Sequence, residues 1–290
     1  MSCPALAGAD TIDRVDAMSY ADYLGRQETR ADHVSPLLLH GLAATIDRPE
    51  PEELPPLWHW TLFQEWAPAS ALGDDGHLKR GGFLPPVHDL PRRMWAGGRL
   101  RFLAPLRAGE AVKRVSTIRR IDEKAGASGR LVFVTVGHVI TGDGGVAIEE
   151  EHDIVYRGSD GPAVKRGTPG SPLPAGARSR TIVPDAVMLF RYSALTGNGH
   201  RIHYDLDYVT RVEGYPGLVV HGPLQATLLA GLLTDFVPDA RLSSFSFRGR
   251  RPAFHGRPLT LACWRDRDGY ALETRDQDGM VCMSAEARLA

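Results

Sequence analysis

Residues 223–236, PLQATLLAGLLTDF, form a helical pattern that is apolar on every side. A helix of that kind cannot lie on a surface and has to be enclosed. The extended, largely apolar runs at 243–248, 259–264, 270–275 and 280–287 are what would enclose it. Glycine-marked turns at 142–145 and 266–269 are too short for βαβ crossovers and point to antiparallel meanders. The first half of the chain repeats the order, with a Ser-Pro-led helical segment at 35–46 and strand-like runs at 114–121, 130–140 and 146–156. Arg101, Pro105 and Gly109 stand at one common offset from Arg248, Pro252 and Gly256, as a degenerate repeat requires. Between the halves, residues 157–180 are rich in Pro, Gly, Ser and charge. The expectation is an α+β chain in three parts: an N-terminal half over 1–156, a linker over 157–180 and a C-terminal half over 181–290.

Composition narrows the partners. Across 290 residues, 34 basic side chains face 35 acidic ones, so no global field favours nucleic acid or an anionic membrane. Cys3, Cys263 and Cys282 are too few and too scattered for a disulfide framework or a zinc cluster. Residues 1–16 lack the pattern of a leader, and no stretch approaches the ~20 apolar residues of a membrane span, so a soluble, cytoplasmic protein is expected. Neither a Walker loop nor a dinucleotide glycine fingerprint occurs, and no cofactor is implied. The run Glu149-Glu150-Glu151-His152-Asp153 alternates across a strand and is read as an exposed strand edge rather than a metal site; no metal is expected.

The densest polar cluster is residues 191–205, RYSALTGNGHRIHYD. Two glycines there allow the backbone to approach a ligand while His200, Arg201 and His203 project toward it. On composition alone a glycine-rich turn with solvated polar residues explains it equally well. His221, before the apolar helix, reads as a structurally satisfied histidine. Trp58, Trp60, Trp66 and Trp95 suit either an acyl groove or a core.

The segment Leu195-Thr196-Gly197-Asn198-Gly199-His200-Arg201-Ile202-His203 resembles the R-specific enoyl-CoA hydratase motif of the MaoC-like hot-dog superfamily. Gly214-Tyr215-Pro216, Val220-His221-Gly222-Pro223-Leu224 and Ser246-Phe247-Arg248 resemble the same superfamily's later segments. In the first half, Trp58-His59-Trp60, Asp75-Gly76-His77, Gly82-Phe83-Leu84-Pro85-Pro86 and residues 92–98 are similar to its mesaconyl-C4-CoA and itaconyl-CoA hydratase branch. The resemblance implies a double hot-dog, two antiparallel sheets each wrapped around a central helix. The N-terminal half lacks the Gly-x-x-x-x-x-His arrangement at the repeat-equivalent place, so one site per chain is expected, in the C-terminal half, with the N-terminal half covering or shaping the pocket.

The activity implied is reversible hydration of an unsaturated acyl-CoA. In the superfamily an Asp and a His share the water-activating task, and here those positions are Asn198 and His203. An amide positions water but takes no proton at neutral pH, so His203 is the expected base. Gly222 N–H, at a helix start, is the expected donor to the thioester oxygen. Arg201, Arg191 and His200 are the expected substrate contacts, an arginine being suited to a second carboxylate; surface charges or contacts to the CoA phosphates explain the arginines equally well. A dehydratase acting on carrier-bound substrates and a noncatalytic acyl-CoA-binding protein remain as alternatives. Homo-oligomers, dimers in the simplest case, are expected.

Overall fold

Burial alternates cleanly along residues 269–275 in the C-terminal half, so that strand turns one face to the core and the other outward. The computed structural model describes residues 20–126, 129–158, 169–238 and 240–290. Cys3, the leader reading over 1–16 and residues 159–168 of the expected linker lie outside the described residues. The first half contains β1 (Gln27–His33), α1 (Pro36–Thr45), β2 (Arg92–Phe102), β3 (Ala111–Gly126), β4 (Gly129–Gly142) and β5 (Gly145–Arg157). The second contains β6 (Arg178–Ile182), α2 (Ala186–Leu195), α3 (Leu206–Arg211), α4 (Gly222–Phe236), β7 (Leu242–Gly249), β8 (Leu259–Asp266), β9 (Gly269–Arg275) and β10 (Val281–Leu289). β6 begins inside the segment read as linker.

The expected two sheets are one. Among the described residues the strands join in a ten-stranded antiparallel sheet, ordered β1-β3-β4-β5-β2-β7-β10-β9-β8-β6. The order runs symmetrically outward from the β2–β7 pair, so the repeat survives as a mirrored strand sequence. The join is physical necessity: β2 and β7 would otherwise be bare edges, and they pair from Gly97↔Arg248 to Arg101↔Ser244. Gly97 and Gly98 allow the approach, since a Cβ on Gly97 would lie 2.4 Å from the Phe247 carbonyl oxygen.

α4 is the enclosed helix the sequence demands. Leu224, Ala226, Leu228, Leu229, Leu232 and Leu233 are all buried, and the helix packs on β6, β8, β9 and β10. A second central helix, expected in the N-terminal half, is absent among the described residues. α1 packs instead on α2 and on the 3-10 turn Trp58–Thr61, capped by the Ser35 hydroxyl with Pro36 in its first turn. The inner face of β3, β4 and β5 closes a separate cluster of Ile118, Val132, Val134, Val136 and Tyr156 with Val87 and Leu90, which come from the long coil before β2. That coil does the covering a helix would have done.

β5 corrects another reading. It lies between β4 and β2, not at an edge, and the alternation divides its charges. Glu149, Glu151 and Asp153 face out to Arg101 and Arg99, while Glu150 faces in at 5% exposure. Its carboxylate meets His59 Nε2 at 3.0 Å, Trp60 Nε1 at 2.8 Å and His152 Nε2 at 2.5 Å. Against the cost of burial, His152 and His59 hold it well below the usual carboxylate range.

Candidate active site

Residues 186–195 are helical, so Arg191, Tyr192 and Ser193 sit on α2 rather than in a loop. Asp185 caps the helix start through Met188 N, and Gly197, at φ +61°, turns the chain out of it. The chain then crosses Asn198 to His200, makes a single 3-10 turn at Arg201–His203, and enters α3, whose cap is Asp205.

His203 is buried. Its Nδ1 lies 2.8 Å from the Val219 carbonyl oxygen. A carbonyl only accepts, so Nδ1 carries the proton and Nε2 keeps its lone pair for another partner. Val219 N–H donates to Ile202 O at 2.9 Å, locking the two segments together. Burial, opposed by the Val219 bond and reinforced by His77, pushes His203 down to about 4. At neutral pH it is an uncharged base.

His221 stacks on His203 with ring centres 3.6 Å apart and planes 18° from parallel. It holds the N-cap position of α4, and its Nε2 lies 2.9 Å from Ser193 Oγ. Gly222 follows at the first helical position, where backbone N–H groups lack intrahelical partners and the helix dipole is positive.

The remaining predicted residues divide. Asn198 Oδ1 accepts the His200 N–H at 3.0 Å, so the amide shapes the loop. The His200 ring lies 5.5 Å from His203 and 4.1 Å from His77. Burial, then the neighbouring His77 and His203, push it down to about 2. Arg201, its side chain partly exposed, pairs its guanidinium with protein groups: Nε and Nη2 donate to Asp205 Oδ2 at 3.0 and 2.7 Å, and Nη1 donates to Asp74 O at 2.9 Å. Arg191 is exposed on α2 and donates to Ala44 O at 3.4 Å. Neither arginine is brought into the histidine group by these bonds.

Sequence reasoning gave no role to Asp75 and His77, although Asp75-Gly76-His77 stood among the resembling segments. Asp75 O accepts the Arg201 N–H at 2.9 Å. Gly76 crosses Gly199 so closely that a Cβ would fall 1.9 Å from the Gly199 oxygen. His77 Nδ1 lies 2.9 Å from Asp75 Oδ2. Asp75, His77 and His200 each bring a ligand-capable atom within 4.8 Å of the others, a donor set of a kind that suits a divalent transition metal.

What the residues can do together follows from their chemistry. A neutral imidazole with a free Nε2 stands beside orphan helix amides, the combination needed to activate water next to a thioester whose oxygen gains charge.

The model of the family described as hydroxyacyl-thioester dehydratase type 2 matches residues 57–255. The mesaconyl-C(4)-CoA hydratase of Chloroflexus aurantiacus is 44% identical over 290 residues, covering 94% of this chain and 99% of that one. Among solved structures, a MaoC-like dehydratase from Phytophthora capsici superposes with a TM-score of 0.65 at 14% identity, over 94% of this chain and 99% of its own. A Mycobacterium tuberculosis protein described as having a double hot-dog fold superposes at 0.56 and 12% identity, over 94% and 98%. The matched span takes in both Trp58 and His203, and so reaches from one half into the other: the chain belongs to the hydroxyacyl-thioester dehydratase type 2 family.

Proposed function

We propose that this chain hydrates mesaconyl-C4-CoA reversibly to citramalyl-CoA, with His203 as the base that activates water. The observation that carries the site is the His203 tautomer. Its Nδ1 is tied to Val219 O at 2.8 Å, leaving Nε2 as a lone-pair base beside the amide end of α4. The identity to a mesaconyl-C4-CoA hydratase supports the substrate. Itaconyl-CoA, which shares the carbon skeleton and differs in double-bond position, is the second substrate to test.

Water bound at His203 Nε2 gives up a proton as its oxygen attacks the β-carbon. The thioester oxygen, gaining charge, is met by the Gly222 N–H, and Asn198 holds the loop that aims the imidazoles. Among the described residues no helix is long and apolar enough to cross a membrane. Cys263 and Cys282 are buried free thiols, each pushed up to about 12 by burial, which suits a reducing cytoplasm. Pairing of chains would cover Leu37, Val187 and Phe190, exposed by 76, 62 and 62%.

The test follows mesaconyl-C4-CoA and itaconyl-CoA by chromatography and mass spectrometry with wild type and His203→Ala. A water-added product from wild type alone supports the assignment. Full activity in His203→Ala sinks the base, and binding without turnover sinks the hydratase.

A further inference from the structure

Hydration of a conjugated thioester needs two proton transfers, one away from water and one to the α-carbon. The site as described offers the lone-pair Nε2 of His203 as the base, and an amide where the resembling motif carries a carboxylate. Asn198 Oδ1 is already occupied by the His200 N–H.

The coil of the N-terminal half brings a carboxylate and an imidazole to the same place. Asp75 Oδ1 accepts the His77 N–H, and Oδ2 accepts Nδ1–H, both at 2.9 Å. His77 Nε2 is therefore the nitrogen left for another partner. Its ring lies 4.1 Å from His200, which lies 5.5 Å from His203. The placement is built rather than incidental: the Gly76–Gly199 crossing, the Arg201 N–H on Asp75 O and the Arg201 guanidinium on Asp74 O fasten this turn to the motif.

We propose that Asp75 and His77 are the second acid–base pair of the reaction, His77 delivering the proton to the α-carbon and Asp75 acting as its positioning residue. This rests on the hydratase reading above. In the step, His203 Nε2 takes a proton from water as the oxygen bonds to the β-carbon. The π pair of the double bond moves into an enolate of the thioester, and the α-carbon then takes the Nε2 proton of the His77 imidazolium. His203 ends protonated and His77 neutral. The proton passes back to His77 by way of His200 or solvent, so water is the only net reactant.

Environment allots the roles. His203 bonds a neutral carbonyl, and no carboxylate stands beside it among its described partners; it is the poorer place for a proton. His77 has a carboxylate on its far nitrogen. Burial, Arg93 and Arg80 push His77 below its ordinary value while Asp75 opposes them. Burial raises Asp75, but the bonds and charge of His77 outweigh it and keep it ionised.

The experiment uses full-length Asp75→Asn, His77→Gln, His203→Ala and wild type with mesaconyl-C4-CoA, and also follows solvent deuterium entering the α-carbon of citramalyl-CoA. Asp75→Asn and His77→Gln should melt like wild type and lose kcat by about 100-fold or more, with KM changed less than about threefold. His203→Ala should still exchange the α-hydrogens, and His77→Gln should not. In the hydration direction wild-type kcat/KM should fall as pH rises through the His77 ionisation, and Asp75→Asn should move that limb to lower pH.

Near-normal kcat in Asp75→Asn, a loss confined to KM, or α-exchange surviving in His77→Gln overturns the pair and leaves the hydratase standing. A wild type that neither hydrates nor exchanges overturns both. Should the variants fail to fold, a wild-type profile flat on its alkaline side overturns the pair unaided. Loss of wild-type activity on chelation, restored by zinc, would give Asp75, His77 and His200 to a cation and overturn it as well.

Discussion

Replacing Gly76 by alanine tests whether the two halves build one site. Gly76 sits at φ +85°, and a Cβ there would stand 1.9 Å from Gly199 O and 2.9 Å from Gly199 C, both backbone atoms of the motif. The backbone conformation alone costs an L-residue about 1–2 kcal/mol. The overlap adds about 1–3 kcal/mol if the loops stay in place. Lifting the 73–77 turn off the motif is the cheaper escape, and it breaks the Asp75–Arg201 and Asp74–Arg201 bonds. Gly82 provides the control, because its φ of +76° is similar but nothing lies within 4 Å of its Cβ position. Urea unfolding and hydratase kinetics on both variants separate the terms. Gly82→Ala should lose about 1–2 kcal/mol and keep kcat. Gly76→Ala should lose more stability and at least about tenfold in kcat, since misplacing a positioned group by an ångström costs on that order or more. Equal behaviour of the two variants would refute the crossing as a functional contact.

Acid should unfold the protein through its buried imidazoles. His203 ionises at about 4 when folded and near ~6.5 when unfolded, so its contribution is full above the unfolded value and lost as pH falls from there toward 4. That loss is worth about 3 kcal/mol, with His221 and His138, also held well below their ordinary value by burial, acting in the same direction. Urea midpoints between pH 7 and pH 4.5 check it, and a constant midpoint refutes it. Glu150→Ala strands the nitrogens of buried His59 and half-buried His152 and Trp60 and should cost about 3–5 kcal/mol by thermal or urea unfolding; a loss under about 1 kcal/mol would show that the network relaxes. Arg201→Ala should lower turnover of mesaconyl-C4-CoA and crotonyl-CoA by similar factors, because the guanidinium holds Asp205 and Asp74 O; a selective loss on the carboxylate-bearing substrate would restore Arg201 to substrate recognition.

How much was legible follows from where each residue lies. The run 223–236 was unmistakable because α4 is enclosed, and an enclosed helix has to be apolar all round. The inner strands β3, β4, β5, β8, β9 and β10 showed because one face of each is buried. The inner strand β2 was not read as a strand, and β1 and β6 did not show either. Their sequences, QETRADH and RSRTI, are nearly all polar because they are the outermost strands of the sheet, where charge blocks further pairing. Single versus double sheet was equally hidden, since alternation tells which face of a strand is buried and says nothing about what pairs with its edge. Asn198, His200 and His203 were readable as candidates because one short segment carries the motif, and the structure keeps them together in it. Asp75 and His77 were invisible as site residues because their meaning comes from a contact across more than a hundred positions of chain. Sequence did not reveal that Arg201, expected as a substrate contact, also pairs with Asp205 four residues on.

The seam between the halves accounts for why a duplicated chain keeps a half without a second copy of the motif. Trp60 and Trp95 from the first half pack edge-to-face with each other at 4.9 Å and on Phe247 of the second at 5.8 and 5.6 Å. They lie beside the Glu150 network and the β2–β7 ladder. A seam made of backbone pairing and aromatic packing cannot slide without losing both, so the N-terminal sheet is a fixed mount for the coil that precedes β2. A coil on a fixed mount can place residues 73–77 against Gly199 and Arg201 reproducibly, which a flexibly tethered domain could not. The first half has thus exchanged its central helix for a long coil, and the second half has an amide at Asn198 where the resembling motif has a carboxylate. The two departures compensate: the coil returns a carboxylate, Asp75, to the histidine group from the other side.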